Sequence, residues 1–353
     1  MRVLVALSGG VDSSVAAALM VEEGHEVVAA TLKQWDGPTT AGCCTVGDAT
    51  DARRAAGALG IRHYVLDYVE RFTTAVVDRF GSEYLAGRTP NPCIDCNRTV
   101  RFGALLSQAE DLGCDVLVTG HHARVRQDGA GRHLLRAVDA TKDQSYVLYM
   151  LGQEELSRVR FPVGEMTKAE VRELAAGLGL GTASKPDSQD LCFAAGDYRA
   201  FLRRRVAELD TAGPIVDTGG TVVGSHDGVA GFTIGQRRGL GIAAGEPRYV
   251  VSLHPATATI VVGNADDLLA DGCRVTGMTF VAGRPPADGG LSVKVRYRSE
   301  PVAAALSQTG PGEWLVSFAE PVAAVAPGQA AVLYRGDEVL GGGTISAALG
   351  GSR

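Results

Sequence analysis

Two sets of residues in this chain have the types and spacing for chemistry. The first is the run Ser8-Gly9-Gly10-Val11-Asp12-Ser13-Ser14, directly behind the apolar segment Arg2–Leu7. Val3, Leu4, Val5, Ala6 and Leu7 predict a fully buried parallel strand. Ser8, Gly9 and Gly10 predict a tight loop, and Asp12–Val21 predicts a helix built on alanine and leucine. Strand, glycine turn and helix start together aim several backbone N–H groups at one point, and the helix dipole adds to them. That point attracts an anion, with phosphate or pyrophosphate as the natural guest. A Walker loop is excluded, because the chain contains no Gly-Lys pair. The GxGxxG pattern is also absent here. The second set is thiols: Cys93 and Cys96 in a C-x-x-C arrangement, and Cys192 far downstream. No export signal or cleavage site is visible behind Met1, so a reducing, cytoplasmic setting is expected. There, grouped cysteines point to chemistry or metal binding before structural disulfides.

The elements that must position these residues alternate. His25–Leu32 predicts a second strand, Asp48–Leu59 a helix and Arg62–Leu66 a third strand. Glu70–Leu85 and Thr99–Leu112 read as amphipathic helices, and Asp115–Gly120 as a further buried strand. This β-α alternation predicts an α/β fold with a doubly wound, Rossmann-like parallel sheet. Ligands of such sheets bind at the carboxyl ends of the strands, where the SGGVDSS loop, Leu32 and Gly120 would lie. Thr167–Leu178 predicts another helix, with Thr167 and Glu170 as a short cap signal. Past about residue 205 glycine, proline and valine/threonine runs take over. Segments 273–281, 291–298, 302–307, 313–318, 330–335 and 339–345 read as short strands of a small C-terminal β-barrel. The expected division is 1–204 for the catalytic unit, 205–270 for a central linking module and 271–353 for the barrel. The segment 87–97, GRTPNPCIDCN, reads as an ordered, non-helical loop because of its prolines and asparagines.

Composition limits the function classes. With 353 residues and 45% hydrophobic content, the chain can build two or three cored domains. Its 21% charged residues argue against wholesale disorder. A formal net charge of −6 excludes RNA binding by bulk positive charge, but leaves room for local arginine patches. No apolar run reaches the roughly 18 residues that a membrane span needs, so no membrane partner is expected.

The loop SGGVDSS resembles the pyrophosphate loop of the N-type ATP pyrophosphatases, which split ATP to AMP and pyrophosphate and pass the adenylyl group to an oxygen. Further motifs narrow the resemblance: NPCIDCN, TGHHAR (119–124), KDQSY (142–146), SKPDSQDLCF (184–193) and FTIGQRRGLG (232–241). Together, in this order and over essentially the whole chain, they are similar to the bacterial tRNA-specific 2-thiouridylases. The resemblance implies replacement of O2 of a wobble uridine by sulfur, with ATP and Mg²⁺. It implies tRNAs for Lys, Glu and Gln as substrates, and a cysteine desulfurase or a sulfur-relay protein as donor. Ala6, Leu7, Ser8, Gly9, Gly10, Val11, Asp12, Ser13, Leu32 and Gly120 would bind ATP, with Asp12 helping to hold Mg²⁺. Cys192 would carry sulfur as a persulfide. Cys96 would be the partner thiol, either as nucleophile on the base or by releasing hydrosulfide through a Cys96–Cys192 disulfide. A reactive thiol needs an electropositive, partly exposed setting, which Arg98 and Arg101 would favour.

Many family members carry Asp where this chain has Cys93, and Asp95 does not occupy the matching position. This substitution leaves the general base open. It also raises a metal alternative, with Cys93, Cys96 and Cys192 holding a [4Fe–4S] cluster that delivers sulfide. A zinc site adding Cys43 and Cys44 ranks lower, because adjacent cysteines are awkward ligands. Cys114 and Cys273 read as core residues. Toward RNA, Asn91, Pro92 and Cys93 would flank the target base, and His121, Lys142, Asp143, Gln144 and Gln329 would contact tRNA. Arg296, Tyr297 and Arg298 alternate guanidinium and ring; on a strand the arginines share one face. Arg203–Arg205 and Arg237–Arg238 could meet phosphates along the RNA arm. The rival readings are another adenylating synthetase of the same superfamily, a non-catalytic RNA-binding or metal-storage protein, and a dithiol oxidoreductase. The first leaves Cys96 and Cys192 unexplained, the second leaves SGGVDSS unexplained, and the third lacks a thioredoxin-like β-α-β setting.

Overall fold

A computed structural model describes residues 1–37, 46–187, 191–194, 198–206, 211–242, 245–287 and 289–350. The apolar run behind Met1 forms β1 (Arg2–Ala6), followed by β2 (Glu26–Lys33), β3 (Arg62–Asp67), β4 (Val116–Val118), the hairpin β5 (Ala123–Asp128) and β6 (Gly131–Arg136), and β7 (Val159–Arg160). Five of these make a parallel sheet in the order β3-β2-β1-β4-β7. The chain runs outward from β1 to β3 and then returns to the other side of β1. The switch point therefore falls between β1 and β4, where open α/β sheets take their ligands.

Strand alternation divides the core in two. Leu4, Val28, Ala30 and Leu32 face one side, against Phe72, Val76, Phe80, Val100 and Leu105 of the helical segments 69–85 and 92–111. Val3, Val5, Val27 and Ala29 face the other, against Val15 and Ala16 of Val11–Glu22, Ala52 and Ala55 of Val46–Ala58, and Val171 and Ala175 of Lys168–Gly177. Each fully buried valine or leucine contributes about 1.5–3 kcal/mol, so both faces anchor the strand ends. The helix Lys168–Gly177 starts at Thr167, whose side chain accepts from the Glu170 amide while the Glu170 carboxylate returns to the Thr167 amide.

A four-stranded sheet follows: β8 (Gly213–Asp217), β9 (Val222–His226), β10 (Tyr249–His254) and β11 (Thr259–Gly263), in the order β10-β11-β8-β9. The C-terminal strands are β12 (Leu269–Phe280), β13 (Ser292–Lys294), β14 (Val302–Gly310), β15 (Glu313–Ala323), β16 (Ala330–Arg335) and β17 (Glu338–Leu349). They pair as β12-β15-β14-β13-β16-β17, and β17 pairs back with β12, closing a barrel. Its interior holds Cys273, Val275, Val293, Val316, Leu333 and Ile345. Burial pushes the Cys273 thiol up to about 12. Cys114 is likewise a core thiol raised by burial.

The hairpin β5–β6 extends the barrel sheet, with Glu338 and Val339 of β17 in register with Leu135 and Leu134 of β6. Tyr146, Tyr149 and Leu134 share one core with Ala330, Val332 and Tyr334 of β16. The N-terminal unit and the barrel are thus joined by a sheet and by a common core. Among the described residues no helix is long and apolar enough to cross a membrane.

Candidate active site

The SGGVDSS run forms the expected strand–loop–helix turn. Leu7 is tied to β2 by its amide, which donates to Ala30 O at 2.9 Å, and by its carbonyl, which accepts from Thr31 Oγ1 at 2.6 Å. Gly9 adopts φ +75°, and a Cβ there would lie 2.2 Å from Asp48 O, so only glycine fits. Gly10 sits at the helix N-cap in extended conformation, and no side chain caps the helix. Its first N–H groups and dipole remain directed at the loop. Ser13 Oγ accepts from the Ser8 amide at 3.1 Å and bonds Gly10 O at 3.1 Å, which locks the loop on itself. Gly120, just past β4, approaches so closely that a Cβ would lie 2.5 Å from Ser13 N. Ala6 is half-buried, Val11 is buried, and Leu32 packs in the core at the end of β2.

Charged residues surround this loop, of which the sequence reading assigned only Asp12 and Lys142. Lys168 Nζ donates to both oxygens of Asp12 at 2.6 and 2.7 Å, and His122 Nε2 meets the same carboxylate at 3.0 Å. Burial alone would raise Asp12, but the bonds from His122 and Lys168 outweigh it and hold the carboxyl below its usual range. Lys185 donates to Gly9 O at 3.0 Å and pairs with Asp48 and Asp51, each at 2.7 Å. Asp187 receives Lys142, Lys168 and Arg172 at 2.8, 3.0 and 2.9 Å. Burial again opposes ionisation of Asp187, and the lysine bonds overcome it, bringing the pKa to about 2. The loop thus faces a cluster of cations already held in place by carboxylates. Lys185 and Asp187 lie inside SKPDSQDLCF and His122 is the second histidine of TGHHAR, so those motifs carried a signal. Lys168 and Asp12 stand 156 positions apart, and only the fold joins them.

The cysteines differ from expectation in two respects. The segment 87–97 is not a non-helical loop throughout: Asn91 caps a helix by accepting from the Cys93 amide at 3.1 Å, and Pro92 takes the first helical position. Asparagine then proline is a helix-start pair as much as a turn pair. The helix runs through Pro92–Asp95, Cys96–Leu105 and Leu106–Asp111, the middle segment π-wound. Cys93 and Cys96 therefore sit in its first turns, where the dipole favours negative charge. The second difference is exposure: Cys93 is exposed and Cys192 half-buried, but Cys96 is buried. Gln34 Nε2, just beyond β2, donates to Cys96 Sγ at 3.4 Å. The next residue, Trp35, packs edge-on against Phe193, the neighbour of Cys192. Cys96 lies beside Gln34, just past β2, and Cys96 and Cys192 both pack into the large core that this face of the sheet shares with the helical segments 69–85 and 92–111; β2 is the strand beside β1 and its anion loop. Asp95 is buried beside Arg79 at 3.3 Å, and burial holds its carboxyl above the usual range.

Among the described residues no group of three or more His, Cys, Asp or Glu side chains is arranged to hold a metal ion. Cys93, Cys96 and Cys192 are therefore not gathered as a ready-made set of three thiolate ligands here. Cys43 and Cys44 of the zinc alternative lie outside the described residues.

The residues expected at the RNA divide by burial. His121 is buried against Phe102 and Phe161; its Nδ1 meets Thr119 Oγ1 at 2.7 Å and its Nε2 meets Arg101 at 3.5 Å. Asp143 is a buried acceptor for the Ala137 and Ser145 amides at 3.1 Å. Gln144 Oε1 accepts from the His122 amide at 2.9 Å. Gln329 Nε2 donates to Thr89 O at 2.7 Å, so the barrel holds the approach to the cysteine helix. The strand alternation expected for Arg296-Tyr297-Arg298 is not observed. β13 ends at Lys294, and the three residues form a turn. Arg296 turns inward and donates to Ile234 O at 2.9 Å, while Tyr297 and Arg298 stay exposed. Arg203, Arg204, Arg205, Arg237 and Arg238 are exposed as well.

A parallel sheet of this order, with an anion loop behind its first strand and a cation cluster around it, defines a PP-loop ATP pyrophosphatase fold. Family models match three consecutive stretches: a "tRNA methyl transferase HUP domain" over residues 1–196, a "tRNA methyl transferase PRC-barrel domain" over 199–264 and an "Aminomethyltransferase beta-barrel domain" over 270–345. The chain is 50% identical over 352 residues to the tRNA-specific 2-thiouridylase MnmA of Chloroflexus aurantiacus, covering 98% of each chain. It is 48% identical over 354 residues to that of Carboxydothermus hydrogenoformans, covering 98% of this chain and 97% of the other. The chain belongs to the tRNA-specific 2-thiouridylase family. Among solved structures, a U34-tRNA thiolase NcsA from Methanococcus maripaludis with its [4Fe–4S] cluster is 20% identical. Its TM-score is 0.36, with 60% of this chain and 65% of that chain covered.

Proposed function

We propose that this protein uses ATP to replace O2 of the wobble uridine of tRNA with sulfur drawn from a persulfide on Cys192. The observation that carries the reading is the juxtaposition of two centres. A cation-lined anion loop ends β1, and just past the neighbouring strand β2 Gln34 bonds the Cys96 thiol while Trp35 packs on Phe193, next to Cys192. Uridine O2 is a poor leaving group. Its attack on the α-phosphorus of ATP forms an O–P bond, breaks the bond to the β-phosphate oxygen and releases pyrophosphate. The Ser8–Ser13 backbone and Lys168 then meet the charge on the departing group. Asp12 is the carboxylate suited to hold Mg²⁺, which would neutralise part of the triphosphate charge. Cys96 attacks the Cys192 sulfur of the persulfide, forming a Cys96–Cys192 disulfide and freeing hydrosulfide. Hydrosulfide attacks C2 of the adenylated base and expels AMP, which carries the original O2. Direct attack by a sulfur on Cys96 is the variant of this step.

Cys93, Asn91, Tyr297, Arg298 and Lys142 are the reachable groups for the splayed base and its flanking phosphates. The tRNAs for Lys, Glu and Gln are the proposed substrates, and a cysteine desulfurase or a sulfur relay is the proposed donor. The ATP loop and the thiols Cys96 and Cys192 favour sulfur transfer over methyl transfer. The test is 2-thiouridine formation by anaerobically purified protein with tRNA, Mg·ATP and a persulfide donor, iron and zinc being assayed on the same samples. Metal-free wild type should make thiouridine, and Cys192→Ala should not. Activity that tracks iron content would overturn the persulfide route. ATP cleavage without thiouridine would overturn the substrate.

A further inference from the structure

One lysine is buried where the fold offers it no acid. Lys294 ends β13, in register with Val332 of β16. Its neighbour Val293 faces the barrel interior. Strand alternation therefore turns Lys294 to the outer face, into the joint between the barrel and the N-terminal unit. There it is only 6% exposed. Its Nζ lies 6.0 Å from the centre of the Tyr146 ring, and among the described residues it forms no hydrogen bond or ion pair. The buried carboxylate of Asp143 is engaged elsewhere, by the Ala137 and Ser145 amides, the Ser145 hydroxyl and Arg136. Burial lowers the Lys294 pKa below 10.5; Asp143 and Glu300 oppose that shift and Arg136 adds to it. A buried amine without a partner is costly, and such groups gather where chemistry uses them. The joint also reaches the cysteine helix. Tyr146 lies on the short helical turn Ser145–Leu148, and Asn97, next to Cys96, donates to Val147 O of that turn at 3.0 Å. Tyr297 packs edge-on against Tyr146 at 5.9 Å between ring centres. Burial, then the charges of Asp143 and Cys93, hold the Tyr297 hydroxyl above its usual range. Lys294, Tyr146, Tyr297 and Cys93 thus belong to one neighbourhood, the one proposed to receive the splayed base.

Adenylation of a uridine leaves a proton to dispose of. When O2 bonds to phosphorus the ring holds an N3=C2 double bond, so N3 must give up its hydrogen. Cys93 is a thiol, and Asp95 on the same turn is paired with Arg79 at 3.3 Å. We propose that Lys294 is the general base of this step, its amine taking the N3 proton of the target uridine. The inference rests on the reading that uridine O2 is adenylated. The N3–H electron pair becomes the second bond of N3=C2. The C2=O2 pair attacks the α-phosphorus, pyrophosphate leaves, and Nζ keeps the proton as an ammonium. When hydrosulfide adds to C2, the N3=C2 pair returns to N3, which recovers the proton from Lys294. Loss of AMP and of the S–H proton to solvent then leaves C2=S. A lysine serves as a base only where its surroundings lower its pKa, which burial does here.

The experiment measures tRNA-dependent pyrophosphate release and thiouridine formation by the full-length protein. Wild type is compared with Lys294→Met, Lys294→Arg and Lys294→Ala, the last with and without added ethylamine. Gel-shift binding of tRNA and thermal melting are read on the same samples. Lys294→Met should release pyrophosphate about a hundredfold more slowly or worse, while still binding tRNA. It should melt at or above the wild-type temperature, because it removes a buried amine without a partner. Arginine keeps the charge but cannot give up its proton, so Lys294→Arg should be as slow as Lys294→Met. Ethylamine should restore turnover to Lys294→Ala in proportion to its concentration, a response that a merely structural lysine would not give. Wild-type pyrophosphate release by Lys294→Met overturns the inference. So does a fully active Lys294→Arg, which would make the residue a charge contact to RNA. A folded, tRNA-binding Lys294→Ala that ethylamine leaves inactive overturns it as well. The underlying reading is tested by wild type alone: thiouridine formed without release of pyrophosphate would overturn adenylation itself rather than the choice of base.

Discussion

The two halves of the candidate site are built differently. Around the anion loop, Lys168, Lys185, Lys142 and Arg172 are each held by carboxylates at 2.6–3.0 Å, so the cations occupy fixed places before any nucleotide arrives. Such preorganisation spares the protein a reorganisation cost at the moment of reaction. The thiols of the sulfur half differ in environment: Cys93 is exposed, Cys192 half-buried, and Cys96 buried under Gln34. Residues proposed for RNA contact, such as Gln144 and Gln329, are meanwhile occupied by backbone partners. The nucleotide half is held by ion pairs within the fold, whereas the thiols of the sulfur half range from exposed to buried. The contrast suits a reaction in which activation must precede sulfur release.

The largest expected effect separates the halves outright. Cys192→Ala or Cys96→Ala should lower thiouridine formation by about a thousandfold or more, while tRNA-dependent release of AMP and pyrophosphate continues. Loss of both activities together would mean that the halves are not separable. Lys168→Ala strikes the other side. It strips Asp12 of its closest cation, should lower pyrophosphate release by about a hundredfold and should reduce stability by about 1–3 kcal/mol. Lys168→Arg should recover part of the rate, and unchanged pyrophosphate kinetics in Lys168→Ala would remove the lysine from the nucleotide site.

Two smaller effects sharpen the same contrast. Gly120→Ala places a methyl against the Ser13 amide and should cost about 1–3 kcal/mol while raising KM for ATP more than it lowers kcat. An unchanged KM would show that the loop tolerates displacement. The least effect concerns the joint between hairpin and barrel, where His133 bonds Glu338 at 2.6 Å and Asp128 at 3.0 Å. Those two carboxylates raise the His133 pKa above its ordinary 6.5. The contact therefore contributes in full below pH about 6.5 and fades as pH rises through the raised value. Thermal melts of wild type and His133→Gln should differ at pH 6 by under about 1 kcal/mol and converge at alkaline pH. A gap that widens with pH would contradict the assignment.

Much of the fold was legible because its strands are apolar on both faces and its helices periodic. The barrel strands followed from turn residues at short spacing. The hairpin β5–β6 was not singled out, although Asp128-Gly129 between two runs of strand length is a hairpin signal. The strand expected through Arg296 is not formed for a tertiary reason: its guanidinium is drawn inward by Ile234 O, 62 positions away. Cys93 and Cys96 were placed in a loop because asparagine and proline serve turns and helix starts alike. At the site, SGGVDSS and the three cysteines could be read as local patterns. Lys168 could not, since nothing beside it in sequence indicates that it will face Asp12.

The most direct measurement of the central claim follows one oxygen. A tRNA carrying ¹⁸O at O2 of the target uridine would be turned over with Mg·ATP and persulfide-loaded protein, and the AMP analysed by mass spectrometry. Adenylation of O2 before sulfur attack at C2 predicts one heavy oxygen in each AMP, in step with the thiouridine formed. Unlabelled AMP accompanying thiouridine would contradict it.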